Sequence, residues 1–292
     1  IWIASYPKSG STWIQSIIKH ASLQKERDPG ELDLHTLSKK RKPPNIFPFV
    51  QERYTKYPCS VLKTHYLYQP NAKLNHFKGI QLLNTGFIHI FRNPLDVLLS
   101  YINYTRLQYR NVVRQNPSKQ KVDNYRHTIF IETLGLDRPY EVDEWEKMSL
   151  ATIPQKNLDY ALDHFSDRGL SITDLDSSSG SWIQHFNSWE KGKTDIHGIS
   201  LRYEDCLKNS NEFFELLDFL KFTQKDISKA CKAAYSKAKQ ARETSSSGSI
   251  FYNKMKAYYF FEYFSRPALI RFFSKNERIL KNSGYGFLLE KI

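Results

Sequence analysis

Cysteine is scarce in this chain of 292 residues, which contains three, at Cys59, Cys206 and Cys231. They are widely spaced and form neither a Cys-x-x-Cys pair nor a Cys/His ligand pattern, so the sequence predicts no metal site. An odd and sparse set of cysteines also favours a reducing compartment, because disulfide frameworks are built from paired cysteines.

Long hydrophobic runs are missing as well. No stretch approaches the roughly 18 apolar residues that a membrane-spanning helix requires, and no signal peptide is visible. Together with the cysteine pattern, this leads us to expect a cytoplasmic protein.

Acidic residues are outnumbered by basic ones, 30 against 43, and the net charge is +13. Such a balance predicts an anionic partner, which could be nucleic acid, a membrane surface or a polyanionic small molecule. The segment from Glu132 to Asp176 departs from this pattern, with eleven acidic and four basic residues. We interpret it either as a solvated helical excursion or as a lid whose carboxylates favour a cationic ligand.

Short apolar segments alternate with amphipathic ones along the chain. Strands are predicted at 1–5, 60–65, 86–91 and 196–203, and helices at 13–25, 95–104 and 211–219. This alternation predicts a single α/β domain, 1–292, with three layers around a central parallel sheet. Ligands of such sheets bind beyond the carboxyl ends of the strands, where several polar residues of this sequence are clustered.

The first predicted strand leads directly into the loop Tyr6-Pro7-Lys8-Ser9-Gly10-Ser11-Thr12-Trp13. A loop of this kind before a helix predicts an anion site, because the unpaired N–H groups of the first turn and the helix dipole both favour negative charge. Lys8 adds a positive charge, so we expect a phosphate or sulfate ligand. The spacing does not match a Walker A loop, and a plain surface turn is the alternative interpretation.

Two further motifs follow predicted strands. Lys63-Thr64-His65 combines a cation with the side chain best suited to accept a proton near neutral pH. Arg92 follows the strand at 86–91, and Ser100 comes eight residues later. An arginine at a strand end can bind phosphate oxygens in a forked geometry.

These motifs, in this order, resemble those of the sulfotransferases that use 3′-phosphoadenosine 5′-phosphosulfate (PAPS). The resemblance implies that the loop holds the 5′-phosphosulfate, that Trp13 stacks on adenine and that Arg92 and Ser100 bind the 3′-phosphate. Two more motifs fit the family, Gly180-x-Trp182-x-x-His185-x-x-x-Trp189, which we expect to be structural, and Leu201-Arg202-Tyr203-Glu204-Asp205. The cofactor-binding residues that the resemblance implies are Lys8, Ser9, Gly10, Ser11, Thr12, Trp13, Arg92, Ser100 and Tyr203.

The mechanism that the resemblance implies is in-line displacement at sulfur. His65 would take a proton from a hydroxyl, or from an amine or guanidine nitrogen, of a small-molecule acceptor. Lys8 would stabilise the leaving bisphosphate, PAP, and Lys63 would neutralise the sulfuryl oxygens. No metal is required in this scheme, since lysines and amides supply the positive charge.

The chain departs from the animal cytosolic enzymes in two places. About 105–178 reads as an insertion or lid on the acceptor side, and the C-terminal Arg-Lys-Gly segment of those enzymes is missing. Lys254 and Lys256 are candidates to replace it, after a loop predicted at 242–249. The chain therefore looks most like bacterial natural-product-tailoring sulfotransferases, and its oligomeric state cannot be predicted.

Other functions remain open at this point. A P-loop kinase is one alternative, although neither Walker spacing nor a metal-binding carboxylate is evident. A nucleic-acid-binding protein is the other, but no recognised nucleic-acid motif is present and we expect no such partner. The aromatic and basic stretch Phe251 to Phe273 predicts a helix packed on the sheet, with peripheral membrane contact as the alternative.

Overall fold

The computed structural model describes residues 2–22, 62–68, 76–77, 80–81, 86–115, 118–170, 179–213, 223–245 and 256–292. The chain divides into two compact units, 1–92 with 184–239 and 93–183 with 240–292. Each unit is described by itself. No described helix is both long and apolar enough to cross a membrane.

The first unit contains a four-stranded parallel sheet. The six strands of the described chain are β1 (Trp2–Ser5), β2 (Leu62–Thr64), β3 (His76–Phe77), β4 (Ile80–Gln81), β5 (Phe87–Phe91) and β6 (Gly198–Arg202). The order in the sheet is β2-β1-β5-β6, while β3 and β4 form a separate antiparallel pair. Every residue of β1 is buried, as expected for a parallel sheet. The predicted α/β fold with a central parallel sheet is confirmed.

Nine α-helices occur in the described chain. They are α1 (Ser11–Ser22), α2 (Pro94–Arg114), α3 (Lys119–Arg126), α4 (Val142–Lys147), α5 (Gln155–Arg168), α6 (Trp182–Gly192), α7 (Tyr203–Lys208), α8 (Gln224–Thr244) and α9 (Arg266–Asn282). A π-helix spans His127–Thr133, and 3₁₀ turns span Leu150–Thr152, Ser210–Phe213, Tyr259–Glu262 and Gly286–Lys291.

Two helices extend further than the sequence predicts. The helix after Arg92 continues to Arg114, because Asn93 caps its start and an apolar face persists for five turns. The prediction of a loop from residue 242 is wrong for its first three residues, which complete α8. The remainder of that predicted loop from residue 246, most of the helix predicted at 211–219 and Lys254 lie outside the described residues.

The second unit has an aromatic core of its own. Phe130 packs edge-on against Trp145 at 5.1 Å, and Tyr109 stacks on Tyr125 at 5.8 Å. The indole N–H of Trp145 donates to Thr105 Oγ1 at 3.2 Å. Much of the predicted insertion at 105–178 is therefore a packed structure, although its role as a lid stays a prediction.

Carboxylates of the acidic segment pair with basic residues of the same unit. Arg138 contacts Glu144 at 3.1 Å and Arg271 contacts Asp163 at 2.7 Å. Arg271 lies on α9, which packs against α5. Within its unit α9 therefore packs on a neighbouring helix and pairs with its acidic side chains, while packing of the Phe251–Phe273 stretch on the sheet stays a prediction.

Candidate active site

The loop between β1 and α1 has an unusual backbone conformation that is held by its own hydrogen bonds. Lys8 and Gly10 both have positive φ, +69° and +109°. The amide of Ser9 donates to Tyr6 O at 3.1 Å, and the amide of Trp13 donates to Gly10 O at 3.0 Å to begin the helix. Ser11 is buried, and Thr12 and Trp13 are partly buried in the first turn of α1.

Three cations converge on this loop within the first unit. Arg92 Nη1 donates to the backbone oxygen of Lys8 at 3.4 Å. Burial, followed by the positive charges of Arg92 and Lys63, lowers the pKa of Lys8 to about 7. An anion bound here would reverse that shift, because it stabilises the charged form of each cation.

Aromatic side chains form one wall of the loop. Tyr203 lies beneath the Arg92 guanidinium, 4.5 Å from the ring centre. Trp13 packs edge-on against Tyr203 at 5.5 Å and against Phe213 at 5.6 Å. The loop, Arg92 and Tyr203 are thus brought together by β1, β5 and the start of α7, as expected for the carboxyl ends of neighbouring strands.

Two buried polar atoms of the loop have no hydrogen-bond partner among the described residues, Ser9 Oγ and Trp13 Nε1. Buried polar groups are normally paired, so an unpaired hydroxyl and indole N–H beside three cations fit a polar, anionic ligand. A nucleotide with phosphate and sulfate groups matches this set of donors. Among the described residues no group of His, Cys, Asp and Glu side chains could hold a metal ion.

His65 lies beside β1, just after β2. Its Nδ1 is 2.6 Å from the backbone oxygen of Ser5 and 3.2 Å from Ser5 Oγ. The register of the two strands explains this contact, since Ala4 is paired with Thr64. A carbonyl oxygen only accepts, so Nδ1 carries the proton of the neutral ring and Nε2 keeps its lone pair.

A second histidine, His185 on α6, is fully buried within the same unit. It packs edge-on against Tyr6 at 5.7 Å and lies 5.6 Å from His89 between ring centres. Burial, and then electrostatic interaction with His89 and His65, holds its pKa well below 6.5. His185 is therefore neutral near pH 7, and the structural role expected from its motif stays a prediction.

Sequence reasoning missed His89 and its partner. His89 Nδ1 lies 3.4 Å from Glu190 Oε1, which also accepts from Ser200 Oγ. Burial raises the pKa of Glu190, but hydrogen bonds from His89, Lys193 and Ser200 lower it to about 2. A histidine within the apolar strand β5 gave no sequence signal of such a contact.

Ser100 and Asp96 belong to the second unit, on α2. Ser100 is half-buried in the second turn of the helix. Asp96 is fully buried, and its carboxylate accepts the amides of Tyr258 at 2.6 Å and Phe260 at 3.2 Å. Asp96 thus orients the backbone around Tyr258 and Phe260. Lys256 pairs with Glu262 at 2.7 Å.

Comparison with known proteins agrees with this site. The family model described as "Sulfotransferase domain" matches residues 1–264, and the chain belongs to this family. Flavonol 3-sulfotransferase of Flaveria bidentis is 26% identical over 129 residues, 43% of this chain and 39% of the relative. Flavonol 4′-sulfotransferase of Flaveria chlorifolia is 25% identical over 136 residues, 44% of this chain and 40% of the relative. The matched stretches thus span about two fifths of these curated relatives.

Solved structures share the fold. Mouse sulfotransferase SULT7A1 complexed with PAP has a TM-score of 0.54 at 16% identity, with 99% of this chain and 86% of that chain covered. Retinol dehydratase in complex with androsterone and inactive cofactor PAP has a TM-score of 0.53 at 16% identity, covering 96% and 80%. The predicted family is therefore confirmed, while the likeness to bacterial tailoring enzymes stays a prediction.

Proposed function

We propose that this protein is a PAPS-dependent sulfotransferase that acts on a hydroxyl, or an amine or guanidine nitrogen, of a small molecule. The observation that carries the proposal is the position of His65, hydrogen-bonded through Nδ1 to Ser5 O next to the strand that leads into the cationic loop. PAPS supplies an activated sulfuryl group, and PAP is the product that leaves. The PAP complexes of two structures with the same fold support this choice of cofactor.

His65 is the proposed base. The Ser5 carbonyl fixes its neutral tautomer, so Nε2 is free of hydrogen and can accept the proton of the acceptor nucleophile. When Nε2 is protonated, the same carbonyl still accepts from Nδ1, and the imidazolium is stabilised without a change in ring orientation.

Lys8 and Lys63 are the proposed electrostatic groups. Lys8, with a pKa of about 7, gains a full charge when an anion is bound. We assign Lys8 to the bridging oxygen of the leaving group and Lys63 to the sulfuryl oxygens. Ser9, Gly10, Ser11 and Thr12 would hold the 5′ end of the nucleotide, Trp13 and Tyr203 its adenosine, and Arg92 and Ser100 its 3′-phosphate.

The acceptor is proposed only as a class. The acidic segment favours a cationic acceptor, but Glu144 and Asp163 of that segment already have arginine partners. The names of the flavonol sulfotransferases point instead to phenolic hydroxyls. Transfer of radiolabelled sulfate from PAPS to a flavonol, a simple phenol, a primary amine and a guanidine would separate these classes.

Replacement of the base tests the proposal. His65→Ala should lower transfer to the best acceptor of that panel by about 10²–10⁴-fold, while PAP binding is retained. His20→Ala is the matched control, because among the described residues the hydrogen bonds of His20 join it to Ser16 of its own helix, with Nδ1 2.6 Å from Ser16 O. Near-normal turnover of His65→Ala would refute the assignment.

A larger thermal shift with ATP and magnesium than with PAP would favour a kinase.

A further inference from the structure

The segment that follows His65 is attached to helix α6 by hydrogen bonds. The indole Nε1–H of Trp189 donates to the backbone oxygen of Tyr66 at 2.9 Å. The amide of Tyr68 donates to Ser188 Oγ at 3.0 Å, and that hydroxyl donates to His185 O at 2.9 Å. Two consecutive residues of α6 therefore hold the chain one and three residues beyond the histidine.

Packing makes this attachment specific. Trp189 is 1% exposed and packs edge-on against Phe87 at 4.9 Å and Tyr68 at 5.2 Å. The ring of Tyr68 lies against Gly192, where a Cβ atom would come within 2.9 Å of the ring. The absence of a side chain at Gly192 thus admits Tyr68 to the helix surface.

Helix α6 is in turn attached to the sheet. Glu190, next to Trp189, accepts from Ser200 Oγ on β6 and lies 3.4 Å from His89 Nδ1 on β5. The helix that holds the His65 segment is therefore fixed to two strands. The other side of the histidine is fixed by the Ser5 carbonyl on β1.

We propose that Trp189 and Ser188 are positioning residues that set the place of His65 by holding the backbone of Tyr66 and Tyr68. This assigns a role to the Gly-x-Trp-x-x-His-x-x-x-Trp motif, and it rests on the proposed function of His65 as the base. Small displacements of a reacting group lower rates steeply, so a loss of these bonds should act on the chemical step rather than on nucleotide binding.

Trp189→Phe is the direct test, since it keeps an aromatic ring and removes the N–H donor. It should lower kcat by about 10- to 100-fold. The dissociation constant of PAP should change by less than about threefold. Trp145→Phe is a matched control, because Trp145 is also 1% exposed and its indole N–H also donates to a single acceptor, Thr105 Oγ1. Trp145→Phe should keep kcat within about twofold.

The role can be separated from general destabilisation by combining variants. If Trp189 acts through His65, Trp189→Phe should lower the residual rate of His65→Ala by less than about twofold. If Trp189→Phe fails to fold, Ser188→Ala can replace it in this test. Ser188→Ala should lower kcat in the same way, and it should leave the residual rate of His65→Ala unchanged within the same limit. Equal losses of kcat in the Trp189 and Trp145 variants would overturn the inference. An active His65→Ala would instead refute the base, and with it the proposed function.

Discussion

The ring of Tyr203 occupies the space that a side chain on Gly10 would need, because a Cβ atom there would lie 2.7 Å from Tyr203 Cδ2. The guanidinium group of Arg92 also packs on this ring, 4.5 Å from its centre. Tyr203 therefore connects the anion loop to the end of β5. The close fit explains why a glycine is needed in the middle of the loop.

Gly10→Ala should disturb both the loop and the ring. With φ at +109°, an alanine is strained by about 1–3 kcal/mol before its contact with Tyr203 is counted. We expect a lower unfolding midpoint in urea and weaker PAP binding in calorimetry. Gly286→Ala is the control, since Gly286 does not have positive φ and its Cβ would meet the flexible Lys281 side chain at 3.2 Å and Lys281 Cα at an ordinary contact distance of 3.4 Å. Similar losses in both variants would contradict this account.

Lys8 should make the stability of the ligand-free protein depend on pH. Its pKa falls from 10.5 to about 7 in the folded state, through burial and the charges of Arg92 and Lys63. Between these two values the unfolded chain binds more protons than the folded one, so stability rises with pH across that window. Lys8→Met should flatten the rise in urea unfolding curves, whereas Lys191→Met, at an exposed position on α6, should leave it unchanged.

The same residue should couple PAP binding to proton uptake. An anion restores the charge of Lys8, so the binding of one PAP molecule at about pH 8 should be accompanied by the uptake of at most about one proton from the buffer. Calorimetry in buffers with different ionisation enthalpies measures this uptake, which Lys8→Met should reduce. An uptake that is identical in the two proteins would show that Lys8 does not meet the nucleotide.

Local patterns were sufficient to predict the loop, the parallel strands and the charged residues at their ends. Glycine, lysine and hydroxyl side chains before an apolar helical face determine the conformation of Lys8 to Trp13 over a few residues. Contacts between distant segments could not be predicted in the same way. Trp189 and Tyr66 are 123 positions apart, and nothing in either segment specifies the other.

Burial was equally hard to predict where polar residues occur in apolar segments. His89 lies in a strand that reads as continuously hydrophobic apart from itself, and its neutral state depends on packing against His185 and Phe186. The length of α2 depended on its partners too, since Trp145 of a later helix contacts Thr105 near its centre. Such features follow from tertiary packing rather than from local propensity.

His185 should make the protein sensitive to acid. Its pKa is held well below 6.5 by burial first, then by His89 and His65. Below about pH 6.5 the unfolded chain takes up a proton that folded His185 does not. As the pH decreases, this group therefore lowers the free energy of unfolding by about 1.4 kcal/mol per pH unit. His89 adds to the slope, because burial lowers its pKa despite Glu190.

His185→Phe should remove the part of the acid sensitivity that comes from this ring. Urea unfolding at about pH 8, where both proteins have a neutral residue here, measures the packing change alone. The stability lost between about pH 8 and about pH 5 should then be smaller in the variant than in the natural protein. An unchanged loss would mean that His185 is protonated in the folded state.

Asp96 should carry a large share of the stability of the second unit. Its carboxylate is fully buried and accepts hydrogen bonds from the amides of Tyr258 at 2.6 Å and Phe260 at 3.2 Å, and Tyr258 has a positive φ of 57°.

In Asp96→Asn one oxygen becomes an NH₂ group that faces a backbone donor, so one amide loses its acceptor. We expect a loss of about 3 kcal/mol in chemical denaturation. Tryptic cleavage after Lys256 should also become faster, because the turn that follows is released. Asp163→Asn breaks an exposed pair with Arg271 and should cost much less stability than Asp96→Asn, without faster cleavage. If the two variants lost the same stability, the anchoring of this turn by Asp96 would be disproved.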